Sequence, residues 1–210
     1  LPWTERSTDE LEIDAATAHV LDALQIEAVT PKAACCGALR HHLGDDALDE
    51  IRRTIDTWWP HVESGVEAIV MNASGCAAMV KEYAHLLRHD TGYASKAARI
   101  AELTRDLAEL LPEHVQHLAQ QVTRREERVV FHPPCTLQHA LQVRGSVEKI
   151  LESLGAVVLP FADSHLCCGS AGTYSILQPV VAGQLRDRKL AALQAQRPDV
   201  ILSANVGCIA

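Results

Sequence analysis

VILSANVGC, residues 200–208, is a short apolar run that closes on Gly-Cys, and AIVMNASGC, residues 68–76, repeats it 132 positions earlier. Runs of this length, rich in Val and Ile and bounded by turn residues, read as buried strands. Each strand therefore delivers a cysteine at its carboxyl end. The same offset lays Cys168 on Cys36 and CCGS (167–170) on CCGA (35–38), with 39 residues between Cys36 and Cys76 and again between Cys168 and Cys208. Self-similarity of this kind marks a tandem duplication.

The flanks repeat as well. AATAHVLDALQIEAVTP (15–31) answers GSVEKILESLGAVVLPF (145–161), each an apolar helical face running into a β-like stretch. In the second half RVVF (128–131) reads as a strand ending at Pro133-Pro134-Cys135, followed by a helix with Val143, Val147, Ile150, Leu151 and Leu154 at helical spacing. Strand AVVLPF (156–161) leads to Cys167 and Cys168, a helix covers 178–195, and strand DVILSA (199–204) ends at Cys208. In the first half a helix over 13–24 and strand IEAVTP (26–31) lead to Cys35 and Cys36, and a helix over 46–62 leads to strand EAIVMN (67–72) and Cys76. Residues 94–122 read as polar-faced helices.

Alternating strands and helices imply parallel sheets flanked by helices, with ligand sites beyond the carboxyl ends of the strands. The expected fold is α/β: two tandem-duplicated small units, pseudo-twofold related, with their cysteine groups at strand ends. The expected organisation is a first cysteine-rich repeat over 1–93, a helical connection over 94–127 and a second repeat over 128–210. A strand matching RVVF would fall before residue 1, so the first repeat is expected to lack its opening strand and the chain to be a fragment.

A net charge of −8 argues against a nucleic-acid partner. No apolar run approaches the roughly 18–20 residues of a membrane span, and LPWTERSTDE does not open like a signal peptide. Seven cysteines, an odd number without secretory features, argue for a reducing compartment and for metal or redox chemistry over a disulfide framework.

Four cysteines of the second half form the stronger candidate set: Cys135, Cys167, Cys168 and Cys208. The first half offers Cys35, Cys36 and Cys76, and the offset puts Trp3 where a fourth cysteine would stand. An indole N–H only donates, so this set is incomplete. Four thiolates in a partly dry pocket persist only if protons or a metal neutralise them. Zinc accepts four cysteines, but its structural sites draw on pairs spaced about two to four residues apart. An iron–sulfur cluster has separate iron corners that suit adjacent cysteines, and amides can donate to its sulfurs. Metal-free redox thiols and plain buried cysteines are the other readings. His132 and His165 are read as pocket-lining or surface residues that could serve as proton relays or alternative ligands, and His41-His42 as replacement ligands for the first set. Asn72 and Asn205 are expected to hold loop turns, Gly172 and Tyr174 to shape the second loop, and Trp58 and Trp59 to pack in the core. No catalytic residue is assigned.

In AACCGALRHHLG, MNASGCAAMVKEYAHLL, HPPCTLQHALQVR and LCCGSAGTYSILQP the chain resembles the cysteine-rich CCG repeats. The resemblance is to the C-terminal part of the glycolate oxidase (glycolate dehydrogenase) iron–sulfur subunits. Related repeats occur in lactate-utilisation iron–sulfur proteins, in the anaerobic glycerol-3-phosphate dehydrogenase C subunit and in heterodisulfide reductase B subunits. It implies an iron–sulfur cluster, [4Fe–4S], ligated by Cys135, Cys167, Cys168 and Cys208, and by Cys35, Cys36 and Cys76 in the first repeat. It also implies an electron-transfer subunit of a flavin-linked 2-hydroxy-acid oxidoreductase, relaying electrons from a flavoprotein subunit toward quinone. The expected location is the cytoplasm, peripheral to the inner face of the cell membrane. The CxxCxxCxxxCP runs of the family's ferredoxin-like segment do not occur in these residues, so either the chain is expected to be a fragment or those clusters are carried elsewhere. The heterodisulfide type has a second cysteine after Gly-Cys, where Met79 stands here. A disulfide-reducing module and a metal-free docking scaffold are the alternative functions.

Overall fold

Among residues 8–32, 35–123 and 126–209, which the computed structural model describes, strands are short and every ladder is parallel. Helices α1 (Thr8–Ala23), α2 (Ala38–His42) and α3 (Leu48–Glu63) precede β1 (Ile69–Met71). Helices α4 (Ser74–Lys81), α5 (Tyr83–Leu86) and α6 (Ala94–Leu103) then lead to β2 (Thr104–Asp106), which pairs with β1. Helix α7 (Leu107–Leu110), a 3-10 turn and α8 (Val115–Gln121) carry the chain to β3 (Arg128–His132). The remainder is α9 (Ser146–Ser153), β4 (Val157–Val158), α10 (Tyr174–Leu177), α11 (Pro179–Gln194), β5 (Val200–Ser203) and α12 (Val206–Ile209). The second sheet has the order β4-β3-β5. Parallel neighbours need crossover connections, which is why helices separate the strands.

The α/β class with two parallel sheets is as the sequence implies, and the local differences have physical causes. IEAVTP forms no strand among the described residues, since the ladder of β1 is made with β2 instead. AVVLPF contracts to two ladder residues, with the Leu159 amide still donating to the Val129 carbonyl (2.8 Å) just before Pro160. Strand β2, inside the stretch read as helical, escapes an apolar-run criterion because its two buried members, Thr104 and Asp106, are polar. A π-turn over Thr136–Ala140 intervenes between Cys135 and the regular helix α9.

The larger core belongs to the first half. Ile51, Thr54 and Ile55 sit at helical spacing on the buried face of α3. They meet Met79 and Val80 from α4, Tyr83 from α5, and Ala97 and Ile100 from α6, with Trp58 and Trp59 packed against the rim. Each fully buried isoleucine contributes about 1.5–3 kcal/mol. Phe131, Leu137 and Ala108 centre a smaller second cluster, joined by Val147, Leu151 and Leu202.

The two halves touch through their Gly-Cys loops. The Ser74 amide donates to the Ala204 carbonyl (3.2 Å), the Gly75 amide donates to Asn205 Oδ1 (3.1 Å), and Ser74 Oγ lies 2.7 Å from Thr136 Oγ1. The two asparagines thus do different work. Asn205 spans the halves, whereas Asn72 Nδ2 donates to Asp14 Oδ1 (2.8 Å) and Thr17 Oγ1 (3.3 Å) on α1.

At the end of β2, Asp106 accepts the Ala108 amide (2.9 Å) while Glu109 accepts the Asp106 amide (2.9 Å), a capping box for α7. Lys81 pairs with the same Glu109 at 2.7 Å. The second Asp106 oxygen is buried without a partner, and burial raises this carboxyl to about 6. It is therefore harder to ionise in the fold than in the unfolded chain. Its contribution to stability is complete below pH ~4 and is lost as pH rises through about 6. Asp106→Asn keeps the cap and is expected to remove, on the order of 2–3 kcal/mol, the corresponding fall in unfolding free energy between pH 4 and 7. Denaturant titrations at both pH values check this, and an unchanged pH dependence in the variant refutes it.

Candidate metal centre

Three strand ends build the second cysteine set. Strand β3 ends at His132, and the buried Pro133 and Pro134 turn the chain out to Cys135. The loop after β4 carries Cys167 and Cys168, and the turn after β5 carries Cys208, whose amide donates to the Asn205 carbonyl (2.9 Å). All seven cysteines are free thiols.

His132, Cys168 and Cys208 each place a donor atom within 4.8 Å of the others. Burial, then the neighbouring Cys167, pushes the Cys135 thiol up to about 11. Cys168 is pulled down to about 4, first by the Cys208 thiol that hydrogen-bonds to it and next by the His132 imidazole beside it. The same contact, reinforced by burial, moves Cys208 upward. One thiolate is thus stabilised at the centre of the group. His132 itself is 3% exposed, and its ring nitrogens meet no oxygen or nitrogen partner, only the Cys168 sulfur beside them. Leaving such a group unpaired costs about 1–3 kcal/mol.

The surroundings favour negative charge on sulfur. The Gly169 amide donates to Cys167 Sγ (3.3 Å), and Asn205 Nδ2 donates to Cys208 Sγ (3.8 Å). Lys189, on α11, is only 3% exposed; its Nζ donates to the Asp163 carbonyl (2.7 Å) and stands 5.1 Å over the Phe161 ring. Burial lowers its pKa, while the nearby Cys135 and Cys168 sulfurs oppose that shift. This lysine ties down the cysteine loop and sets a cation beside it.

The first set is built differently. Cys36 is buried in the main core, Cys35 is exposed, and Cys76 lies in the first turn of α4. Thr54 Oγ1 donates to the Cys35 carbonyl (2.9 Å) and the Tyr83 hydroxyl to the Cys36 carbonyl (2.8 Å), so core side chains hold the cysteine pair by its backbone. The Cys35 contact pulls Cys36 down, but Cys76 and burial outweigh it and carry the thiol up to about 12. The Gly37 amide donates to Cys35 Sγ (3.5 Å), as Gly169 does to Cys167. Trp3 lies outside the described residues. His41, His42 and His165 are exposed and join no three-donor group among the described residues. Gly172 and Tyr174 are exposed as well.

Sequence reasoning names all the thiols but misses Lys189, Thr54 and Tyr83. A lysine inside a long helix carries no mark of burial, and the other two read as ordinary core. His132 reads from sequence as lining; only its burial and its two nitrogens without an oxygen or nitrogen partner single it out.

A family model described as the CCG cysteine-rich domain matches residues 5–81 and 129–210. The chain belongs to this CCG family. Its two matched segments together hold all seven cysteines. The CCG chain is 48% identical over 198 residues to the glycolate oxidase iron-sulfur subunit of Escherichia coli, covering 93% of this chain and 48% of that protein. It is 30% identical over 183 residues to a probable glycolate oxidase iron-sulfur subunit of Bacillus subtilis, covering 86% of this chain and 41% of the relative. Lactate utilization protein A of Bacillus licheniformis is 29% identical over 201 residues, 94% of this chain and 82% of that protein. The CCG chain thus spans about half the length of the first of these relatives.

In the second CCG repeat the glycine after the cysteine pair is fixed by geometry. Gly169 has φ +96°, and a Cβ there would lie 2.4 Å from the Ala182 carbonyl oxygen of α11. Gly169→Ala is expected to cost more than about 1 kcal/mol through backbone strain alone, with the overlap adding to it. It is also expected to displace the Cys167–Cys168 loop from α11. Thermal unfolding of the metal-free variant reads the loss, and wild-type stability would rule out the close approach.

Proposed function

We propose that this CCG chain is an iron–sulfur electron-transfer subunit of a flavin-linked, glycolate-type 2-hydroxy-acid oxidoreductase. The substrate is oxidised on a partner flavoprotein, and electrons leave toward quinone. One observation carries the reading: free thiols from three strand ends converge, with a thiolate favoured at Cys168 and a buried lysine beside them. The resemblance to glycolate oxidase iron-sulfur subunits over nearly the whole chain supports the assignment to that complex. Residues 1–93 and 128–210 are the two repeats, joined by 94–127. In the second, Cys135, Cys167, Cys168 and Cys208 hold a [4Fe–4S] cluster; Cys35, Cys36 and Cys76 form the weaker first set.

The donor set suits such a cluster. Its thiols are part-buried and unbridged, and the Gly169 and Asn205 N–H groups already point at sulfur. A bound cluster supplies one-electron transfer without proton chemistry at carbon. The chain's own residues hold sulfur in place, exclude water around β3 and β5, and offset negative charge through Lys189. Among the described residues no helix is long and apolar enough to cross a membrane.

Anaerobically purified protein is expected to contain iron and acid-labile sulfide in comparable amounts. Stoichiometric zinc without iron sinks the proposal. Because the first set has three cysteines and the second four, Cys168→Ser is expected to remove more iron than Cys36→Ser. Equal losses would contradict an unequal pair of sites.

A further inference from the structure

We infer that His132 is itself a ligand of the second centre, binding metal through a ring nitrogen beside Cys168 and Cys208. The inference deepens the proposed function and takes from it only the identity of the metal. Three observations carry it. The imidazole is 3% exposed, and neither nitrogen meets an oxygen or nitrogen partner; its polar neighbour is the Cys168 sulfur. The ring's donor atom and the two sulfurs all lie within 4.8 Å of one another.

The residue is also fixed in place. His132 is the last ladder residue of β3, opposite Ser203 on β5, and Pro133 and Pro134 follow it. The hydroxyl opposite it is committed elsewhere: Ser203 Oγ donates to the His132 carbonyl (3.0 Å), not to the ring. A buried imidazole normally hydrogen-bonds a carbonyl, carboxylate or hydroxyl. Here the donor atoms gathered around it are sulfurs. Charge gives a reason for histidine at this position. A [4Fe–4S] cluster has one outward position on each of its four irons, so His132 would stand at one of them in place of a thiolate, a neutral donor where a fourth cysteine would add another negative charge.

The test uses the whole chain reconstituted anaerobically with iron and sulfide, with histidine carrying 15N. Pulsed EPR of the reduced centre is expected to show a strong nitrogen coupling that changes with the label and vanishes in His132→Phe. His132→Cys is expected to restore the iron lost in His132→Phe without restoring the coupling. A loaded wild-type centre with no label-sensitive coupling, or a coupling that survives in His132→Phe, overturns the inference while leaving the iron–sulfur proposal standing. If no iron is taken up, that proposal falls, and Co2+ titration of the thiol-reduced protein decides the ligand question alone. Co2+ is expected to bind at least about tenfold more weakly to His132→Phe than to wild type. Equal Co2+ affinity overturns the inference. Should His132→Phe fail to unfold cooperatively, the label experiment on wild-type protein remains decisive.

Discussion

Like charge crowded into a dry place is the constraint on which this protein turns. Parallel strands end side by side, so whatever follows them is brought close whether or not the groups tolerate one another. In the second repeat that means four thiols and an imidazole. The features around them read as answers to this crowding. Gly169 lets α11 approach until the loop amide can face Cys167, and α11 in turn carries Lys189 into contact with the loop carbonyls. A larger residue at 169 would separate the helix from the loop, and the lysine would leave with it.

The first repeat meets the same problem with other means. Among the described residues no buried lysine stands there; the cysteine pair is fixed instead through its carbonyls, by Thr54 and Tyr83 from the main core. Holding a backbone by core side chains makes a firm scaffold but supplies no cation. Cys76 and burial carry the Cys36 thiol up to about 12, whereas the Cys208 thiol and His132 draw its counterpart Cys168 down to about 4. Two copies of one sequence motif thus provide two electrostatic environments.

What can be read from sequence follows a physical divide. Strand ends announce themselves, because Gly and Pro after a short apolar run force the chain out of the sheet, and β1, β3 and β5 lie where those residues place them. Strand β2 stays hidden, because its inward residues, Thr104 and Asp106, are polar and their burial depends on capping and pairing that only tertiary structure supplies. IEAVTP fails in the opposite sense: its apolar character is real, but among the described residues no strand pairs with it. Lys189 is invisible, and His132 shows only as one of several readings, for a third reason. Their importance lies in what their side chains do not touch, water in one case and any oxygen or nitrogen partner in the other.

The contact between the halves has a direction. Asn205 reaches from the second repeat to the Gly75 amide of the first. At the offset of 132 its counterpart is Ala73, which has nothing to send back. A protein with identical halves would possess two such ties or none. Having one, this chain has halves that can no longer stand in for each other: two copies of the first would meet without the bridge, and two of the second would present an asparagine from each side. Duplication made the repeats alike, and a single side chain has since given them an order.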